Sequence, residues 1–437
     1  MKRTSFFAVV VWLGASVGLA QEPLTLADAV ARALVANPAV RAAAAGANEA
    51  GARLDQARAG FLPRVSLVES WQRGNQPVFV FSSLLSQRRF TEAGFAIDTL
   101  NHPDPLNNFR AAIAVEQPIF DGTRTRAGVR AAALGVSLAG LARRTLAADL
   151  ALATTQAYGQ ALRAQAEREA ARSALASAAE DLRRTGQRRD AGFETDANVL
   201  ALEVQHAEMR ARLIRTEGDA RVAFVELNHV MGADLDLVWR LAPPAPAGPD
   251  TLDAGALETQ ALDARPELAR AVAERDLALA TRDLARSALL PQVGLQAAVE
   301  MNGDRFTDRS SAWVVGTEIS WTLFAGGANR ARVREAEFAA TRAAAERERV
   351  DAAVRADVRS AIARLEAARA SESVGRKAAD QARESQRIIR ARYDAGMAPA
   401  SELLRANTAR LDAETLRTST LVDLVVSAAV LDRAVGR

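Results

Sequence analysis

The sequence repeats itself, in two registers. Pro38 to Pro63 superposes without gaps on Pro266 to Pro291 at an offset of 228 residues. In and around that span Ala36, Ala43, Asp55, Ala57, Arg58, Leu62, Val65 and Leu67 recur as Ala264, Ala271, Asp283, Ala285, Arg286, Leu290, Val293 and Leu295. Further on, Phe120, Gly122, Arg126, Val129 and Arg130 recur as Phe324, Gly326, Arg330, Val333 and Arg334, and Asp190-Ala191-Gly192 recurs as Asp394-Ala395-Gly396, all at an offset of 204. A tandem duplication builds one unit twice. The difference between the offsets places 24 extra residues in the first copy, between Pro63 and Phe120. The copies span 21–237 and 253–437, and a linker at 238–252 joins them. Its Pro243-Pro244-Ala245-Pro246-Ala247-Gly248-Pro249 cannot be helical.

Each copy runs through the same patterns. A helix of about 35 residues is expected first, with Thr25 as cap and Asp28 as first-turn acid, ending near Pro63 or Pro291. The periodicity then drops to two. Val293, Leu295, Ala297, Val299 and Met301 alternate with Gln292, Gly294, Gln296, Ala298, Glu300 and Asn302. Trp313, Val315, Thr317, Ile319, Trp321 and Leu323 alternate with Val314, Gly316, Glu318, Ser320 and Thr322. This predicts strands over 292–302 and 313–323 with one apolar and one polar face. The first copy repeats the pattern more weakly over 64–73 and 111–120, where Glu69 and Gln117 interrupt the apolar face. About 10 residues at roughly 3.3 Å each, tilted near 45°, cross a hydrocarbon layer of about 25 Å. Trp71, Trp313 and Trp321 are expected near strand ends, where aromatic girdles of membrane barrels sit. After each hairpin, proline-free stretches from Thr123 to Arg189 and from Asn329 to Tyr393 predict helices of roughly 95 Å. Turns at Gly192 and Gly396 then start return helices of roughly 40 residues.

Composition agrees with long, closely packed helices: 98 residues are Ala and aromatics make up only 5%. Lys2-Arg3, the apolar run Phe6 to Leu13 and Gly18-Leu19-Ala20 describe a secretory signal peptide over 1–20. No later stretch has 18 consecutive apolar residues, so a transmembrane helix is not expected in the exported chain. Zero Cys excludes disulfides, thiolate metal sites and an N-terminal lipid on cysteine. Acids and bases, 53 against 56, are interspersed rather than blocked, which argues against a nucleic-acid partner. His206 and His229 lie too far apart to converge on one metal, His102 stands alone, and Ser82-Ser83 lacks a neighbouring base. Neither an enzyme nor a cofactor or metal centre is therefore expected.

One protomer with four strands cannot close a membrane barrel, whereas three copies would supply twelve. On these patterns, and on Leu24-Thr25-Leu26-Ala27-Asp28-Ala29, Phe61-Leu62-Pro63-Arg64-Val65, Leu289-Leu290-Pro291-Gln292-Val293, Phe120-Asp121-Gly122, Phe324-Ala325-Gly326 and Arg392-Tyr393-Asp394-Ala395-Gly396, the chain resembles the TolC family of outer-membrane efflux proteins. The resemblance implies a mainly α protomer with a membrane β portion, forming a homotrimer with a twelve-stranded barrel in outer-membrane lipid and a long helical barrel in the periplasm. It implies a passive exit duct for an efflux or type I secretion system, docked to a periplasmic adaptor and an inner-membrane pump. Gly192, Thr195, Gly396 and Pro399 fall at the implied adaptor-docking tips, and Asn198, Tyr393, Glu402 and Arg405 at the implied periplasmic aperture. Asn198 stands where an acid is common, and Arg405 follows Glu402 at a spacing that favours local pairing. The 24 extra residues predict a large extracellular loop, unusually apolar through Phe79, Val80, Phe81, Leu84 and Leu85, that packs over the barrel mouth or against a neighbouring protomer. The rival reading is a periplasmic coiled-coil adaptor or spacer, which would share the export signal and helical hairpins but does not require the strands.

Overall fold

The computed structural model describes residues 23–245 and 252–437; the leader at 1–20 and residues 246–251 of the linker lie outside the described residues. Each copy opens with two helices: α1 (Leu26–Ala36) and α2 (Pro38–Arg58), then α7 (Ala254–Ala264) and α8 (Pro266–Ser287). The single opening helix of about 35 residues expected from periodicity is thus broken. Asn37 and Arg265 hold extended backbone, the conformation a following proline imposes. Pro38 and Pro266 then start the second helix, where no N–H is missed, and the Asn37 side chain caps α2 by accepting from the Ala39 N–H.

Four strands follow: β1 (Arg64–Gly74), β2 (Leu106–Phe120), β3 (Gln292–Arg305) and β4 (Asp308–Ser320). They form one antiparallel sheet in the order β1-β2-β3-β4, and among the described residues the outer edges of β1 and β4 pair with no further strand. The register Leu67–Ile113–Val299–Trp313 and Val65–Val115–Ala297–Val315 gathers the apolar residues on one face. Val65, Leu67, Val299, Trp313, Val315 and Ile319 are all exposed there. The opposite face carries Ser66, Ser70, Arg110, Glu116, Gln296, Glu300 and Glu318, with Arg110 and Glu300 paired across β2 and β3. Glu69, the charge on the apolar face, is held bidentately by Arg309 at 2.8 and 2.9 Å. Strand β4 starts five residues earlier than the alternation suggested, because Asp308 to Ser311 read as loop yet extend the hairpin. Trp313 therefore sits in mid-strand, Trp71 near the upper end of β1, and Trp321 just past the lower end of β4, where its indole donates to the Leu289 carbonyl at 3.1 Å. Between β1 and β2 the insertion forms α3 (Pro77–Ser86) and α4 (Ile97–Asn101).

The long helices are α5 (Arg124–Asp190) with return helix α6 (Asp196–Met231), and α9 (Ala328–Asp394) with α10 (Ala400–Val435). The two long ones have 67 residues each, about 100 Å, and the two return helices 36 each. Near the sheet the packing order is α2, α5, α8, α9, the same order as the strands to which they connect; towards the other end it is α6, α5, α10, α9. The short helices stack end to end to complete the wall. A Cβ on Gly232, which ends α6, would meet Ala36 and Asn37 at 2.9 Å, and one on Gly436, which ends α10, would meet Ala264 at 2.9 Å. At this waist Leu24 and Leu241 form a parallel bridge, and the buried Tyr158 hydroxyl lies 2.7 Å from the carbonyls of both Leu24 and Ala242. Burial pushes the Tyr158 phenol up to about 12, so it stays a proton donor.

Ion pairs along the helix surfaces, such as Arg53–Glu49 and Arg387–Glu384, are exposed and screened by water and salt, so they add little. Close approach of small residues does more. Gly159 on α5 and Gly375 on α9 both face α10, where an added Cβ would lie 2.7 Å from Val422 Cγ1 and 2.5 Å from Thr420 Oγ1. Overpacking of about 1–3 kcal/mol exceeds the gain in helix propensity of about 1 kcal/mol when Gly becomes Ala. Gly159→Ala is expected to lower the thermal midpoint of the detergent-solubilised protein by a few degrees, read by helical circular dichroism. Gly140→Ala, with nothing within 4 Å, should not. Equal shifts in the two variants would refute the tight crossing.

Candidate functional site at the helical tip

The end of the wall away from the sheet is built from two matching turns. Helix α5 stops at Asp190 and α9 at Asp394, and each reverses through a glycine with positive φ, Gly192 at 79° and Gly396 at 75°. That conformation lets the next N–H reach back over the helix end: Phe193 donates to Arg188 O and Met397 to Arg392 O, both at 2.8 Å. Thr195 caps α6 by accepting from the Asn198 N–H, and Pro399 sets the extended backbone before α10. The outermost side chains are apolar and bare, Phe193 at 76% exposure and Met397 at 67%. Phe193 and Met397 thus present two large apolar side chains to solvent at neighbouring turns. Sequence reasoning fixed on the glycines and passed over these two, although their place directly after each Gly was a readable signal.

Behind the turns the two repeats are tied together by Tyr393. Its ring is only 4% exposed, and its hydroxyl lies 2.7 Å from Thr185 Oγ1 and donates to Glu194 Oε1 at 3.5 Å. Arg188 reaches over the ring, 5.7 Å from its centroid, and extends Nη1 towards the carbonyls of Tyr393 and Asp394 at 3.5 and 3.4 Å. Glu194 also accepts from Asn198 Nδ2 at 2.7 Å, so the acid absent at 198 is supplied four residues earlier. Burial raises the Tyr393 phenol above the ordinary tyrosine value, which keeps it a neutral hydrogen-bonding group at physiological pH.

Further up, Asp181 on α5 is gripped by Arg390 at 2.8 and 2.9 Å and accepts from Asn407 Nδ2 at 3.3 Å. Gln386 donates to Asn407 at 2.9 Å and accepts from Arg410 at 3.0 Å, so the chain of polar contacts joins α5, α9 and α10. Burial pushes the Asp181 carboxyl up, against the pull of Arg390 and Asn407. Asp181, Thr185, Arg188, Glu194, Gln386, Arg390 and Asn407 were not singled out by sequence. Of the expected aperture residues, Tyr393 and Asn198 meet through Glu194, while Glu402 and Arg405 do not join them. Among the described residues no ion pair links Glu402 to Arg405. Glu402 lies in the first turn of α10, where the helix dipole already favours a carboxylate without a cation.

A four-stranded sheet with an exposed apolar face, continued by a wall of helices about 100 Å long, defines the protomer of an outer-membrane channel. The sequence profile described as "Outer membrane efflux protein" matches residues 29–233 and 257–437, and the chain belongs to that family. Protein CyaE of Bordetella pertussis is 29% identical over 408 residues, covering 90% of this chain and 80% of that protein. The alkaline protease secretion protein AprF and the pyoverdine export outer membrane protein OpmQ, both of Pseudomonas aeruginosa, are each 26% identical. The alignments cover 64% and 56% of this chain and 56% and 52% of those proteins. Among solved structures the Campylobacter jejuni CmeC outer membrane channel has the same fold, with a TM-score of 0.81 at 16% identity over 94% of this chain and 85% of that one. So has the Vibrio cholerae outer membrane protein VceC, at 0.75 and 19% over 94% and 96%. The chain is therefore an outer-membrane channel of the efflux and secretion class, and the adaptor reading falls. Family and fold are those of transport proteins rather than enzymes.

Removing the Tyr393 hydroxyl leaves Thr185 and Glu194 short of a partner, at about 1–3 kcal/mol. Tyr393→Phe should speed amide hydrogen exchange in the tip segments around 181–200 and 386–403 by about tenfold, since about 1.4 kcal/mol is a factor of ten in an opening equilibrium. Exchange confined to wild-type rates at the tip would show that the hydroxyl does not hold it.

Proposed function

We propose that the protein works as a homotrimeric, passive exit duct, energised by an inner-membrane pump to which a periplasmic adaptor connects it. The observation that carries this is the pair of open sheet edges. An apolar sheet face can rest in lipid only if every edge N–H and C=O is paired, so β1 of one copy must meet β4 of the next. Three copies close twelve strands, turning the apolar face to lipid and the polar face to the lumen. The helical layer supports the same closure. Its outer edges are α2/α6 and α9, where Leu200, Val204, Ile214 and Phe338 stand exposed in the single chain. With no Cys for a lipid, the barrel alone would anchor the protein in the outer membrane, with the helices in the periplasm and Trp71 and Trp321 at the two borders.

On this reading the tip turns, Gly192, Thr195, Gly396 and Pro399 with Phe193 and Met397 between them, receive the adaptor. The Tyr393–Thr185–Glu194 group and the Asp181–Arg390 pair hold the periplasmic aperture narrow, while Asn198 orients Glu194. Glu402 and Arg405 remain free to face the passage. Relatives named for protease secretion and for pyoverdine export support the general class of task.

The absence of native Cys makes the test direct. The protein should fractionate with outer membrane, resist carbonate extraction and run as a heat-modifiable trimer. Phe193→Cys and Met397→Cys, loaded with a short photo-crosslinker, should capture the adaptor, whereas Cys placed at Val65 on the sheet should not. Release by carbonate, or equal capture at tip and sheet, would overturn the proposal.

A further inference from the structure

The insertion between β1 and β2 does not project outward. Three phenylalanines form an aromatic cluster in it: Phe90 meets Phe81 and Phe95 edge to face, each with centroids 5.0 Å apart. The end of α3 is then fastened to the sheet by Gln87, which is 4% exposed. Its Nε2 donates to Asn107 O at 2.8 Å and to Asn108 Oδ1 at 3.0 Å; buried Asn108 donates in turn to buried Asn302 Oδ1 at 3.0 Å. The Gln87 carbonyl accepts from Ser310 Oγ at 3.0 Å, Arg88 donates to Ser311 O at 2.9 Å and Arg89 pairs with Asp304 at 2.8 Å. By register Asn108, Asn302 and Ser310 belong to the polar face, with Arg110 and Glu300. The insertion thus leaves β1 at one edge, packs against the ends of β2 and β3 and is pinned against β4.

Helix α3 buries Val80 and Ser83, and Gln87, just past its end, continues the same face at helical spacing. Its other side is bare, with Val78 at 81% and Leu85 at 50% exposure beside exposed Ser82 and Ser86, and Phe95 and Ile97 are exposed next to it. If the polar face lines the lumen, these residues point at the axis of the duct. We propose that the α3 segments of three copies meet there and close the outer mouth with an apolar constriction. This rests on the trimeric reading above. The occupant of each bare α3 face is the same segment of the neighbouring copies. Two features argue for this: each insertion covers only its own sector of sheet, and the joining of β1 to β4 places three such sectors around one axis. An apolar ring of this kind excludes water and ions by dewetting, and yields when cargo wedges it open.

The test uses the full-length protein in cells. Ala298→Cys puts a thiol on the polar face of β3, below the proposed constriction. A membrane-impermeant polyethylene-glycol maleimide of about 5 kDa, added outside, should label it slowly when the insertion is intact. Labelling should be at least fivefold faster when Val78→Ser and Leu85→Ser are added, and also with Gln87→Ala, which loosens the anchor without touching the apolar face. Separately, Val78→Cys should give covalent dimers with a bifunctional maleimide. Loss of the heat-modifiable trimer in the wild type would remove the trimeric reading itself. An intact trimer whose Ala298→Cys label is unaffected by both sets of loop changes, or whose Val78→Cys never cross-links, would overturn the constriction alone.

Discussion

Everything in this protomer depends on the unpaired edges of one small sheet. A backbone edge in hydrocarbon leaves N–H and C=O groups with no partner, a cost of several kcal/mol per group, and four strands cannot curl far enough to pair with themselves. The chain is therefore built to be incomplete. The apolar face of β1 to β4 is unsuited to water, and the edges are unsuited to lipid until a neighbour joins them. The helical layer inherits the same arithmetic, because α2, α5, α8 and α9 stand beneath the strands in the order of the sheet.

A wall that must continue a barrel for about 100 Å needs straight elements of equal length. Two helices achieve this alone, and the duplication supplies the other two from pieces. Helix α6 abuts the start of α2 and α10 that of α8, with Asn37 Nδ2 bonded to the Val230 carbonyl at 2.8 Å across the first junction. The glycines at these junctions admit the backbone of the stacked helix, and Tyr158 ties the two strands of chain that pass beside them. The waist is accordingly where the largest buried side chains gather, among them Leu227, Met231, Val358 and Leu431.

Much of this could be read from the sequence. The offset of 204 maps α5 onto α9 and α6 onto α10 residue for residue, and the offset of 228 maps α1 onto α7. Period-two alternation located the sheet and its faces. The break at Asn37 was missed because an Ala-rich helical pattern continues on both sides of a proline that can serve as a first helical residue. The start of β4 was missed because its polar upper end lacks alternation. The tip network was hidden for a different reason. Asp181, Thr185, Arg188 and Arg390 sit in helices where charged residues are abundant at almost every turn, and only packing distinguishes a buried pair from a solvated one.

Where the copies differ is as informative as where they agree. At the offset of 204, Tyr393 corresponds to Arg189, Arg390 to Gly186, Thr185 to Ile389 and Glu194 to Ala398. The helix boundaries and the Asp-Ala-Gly turns survived the duplication, whereas Tyr393, Arg390, Thr185 and Glu194 have no counterpart of their kind. Arg189 pairs with its neighbour Asp190 at 2.6 Å on the surface, while Tyr393 turns inward to the other repeat. At the opposite end only the first copy carries α3, and the second joins β3 to β4 by a tight turn at Phe306 and Thr307. A symmetric wall conducts equally well along its whole length and has no place to stop a flow. The repeats differ at the waist as well, where Tyr158 corresponds to Ile362 at the same offset, but the insertion with α3 and the contacts of Tyr393 put two of their differences at the two ends of the wall.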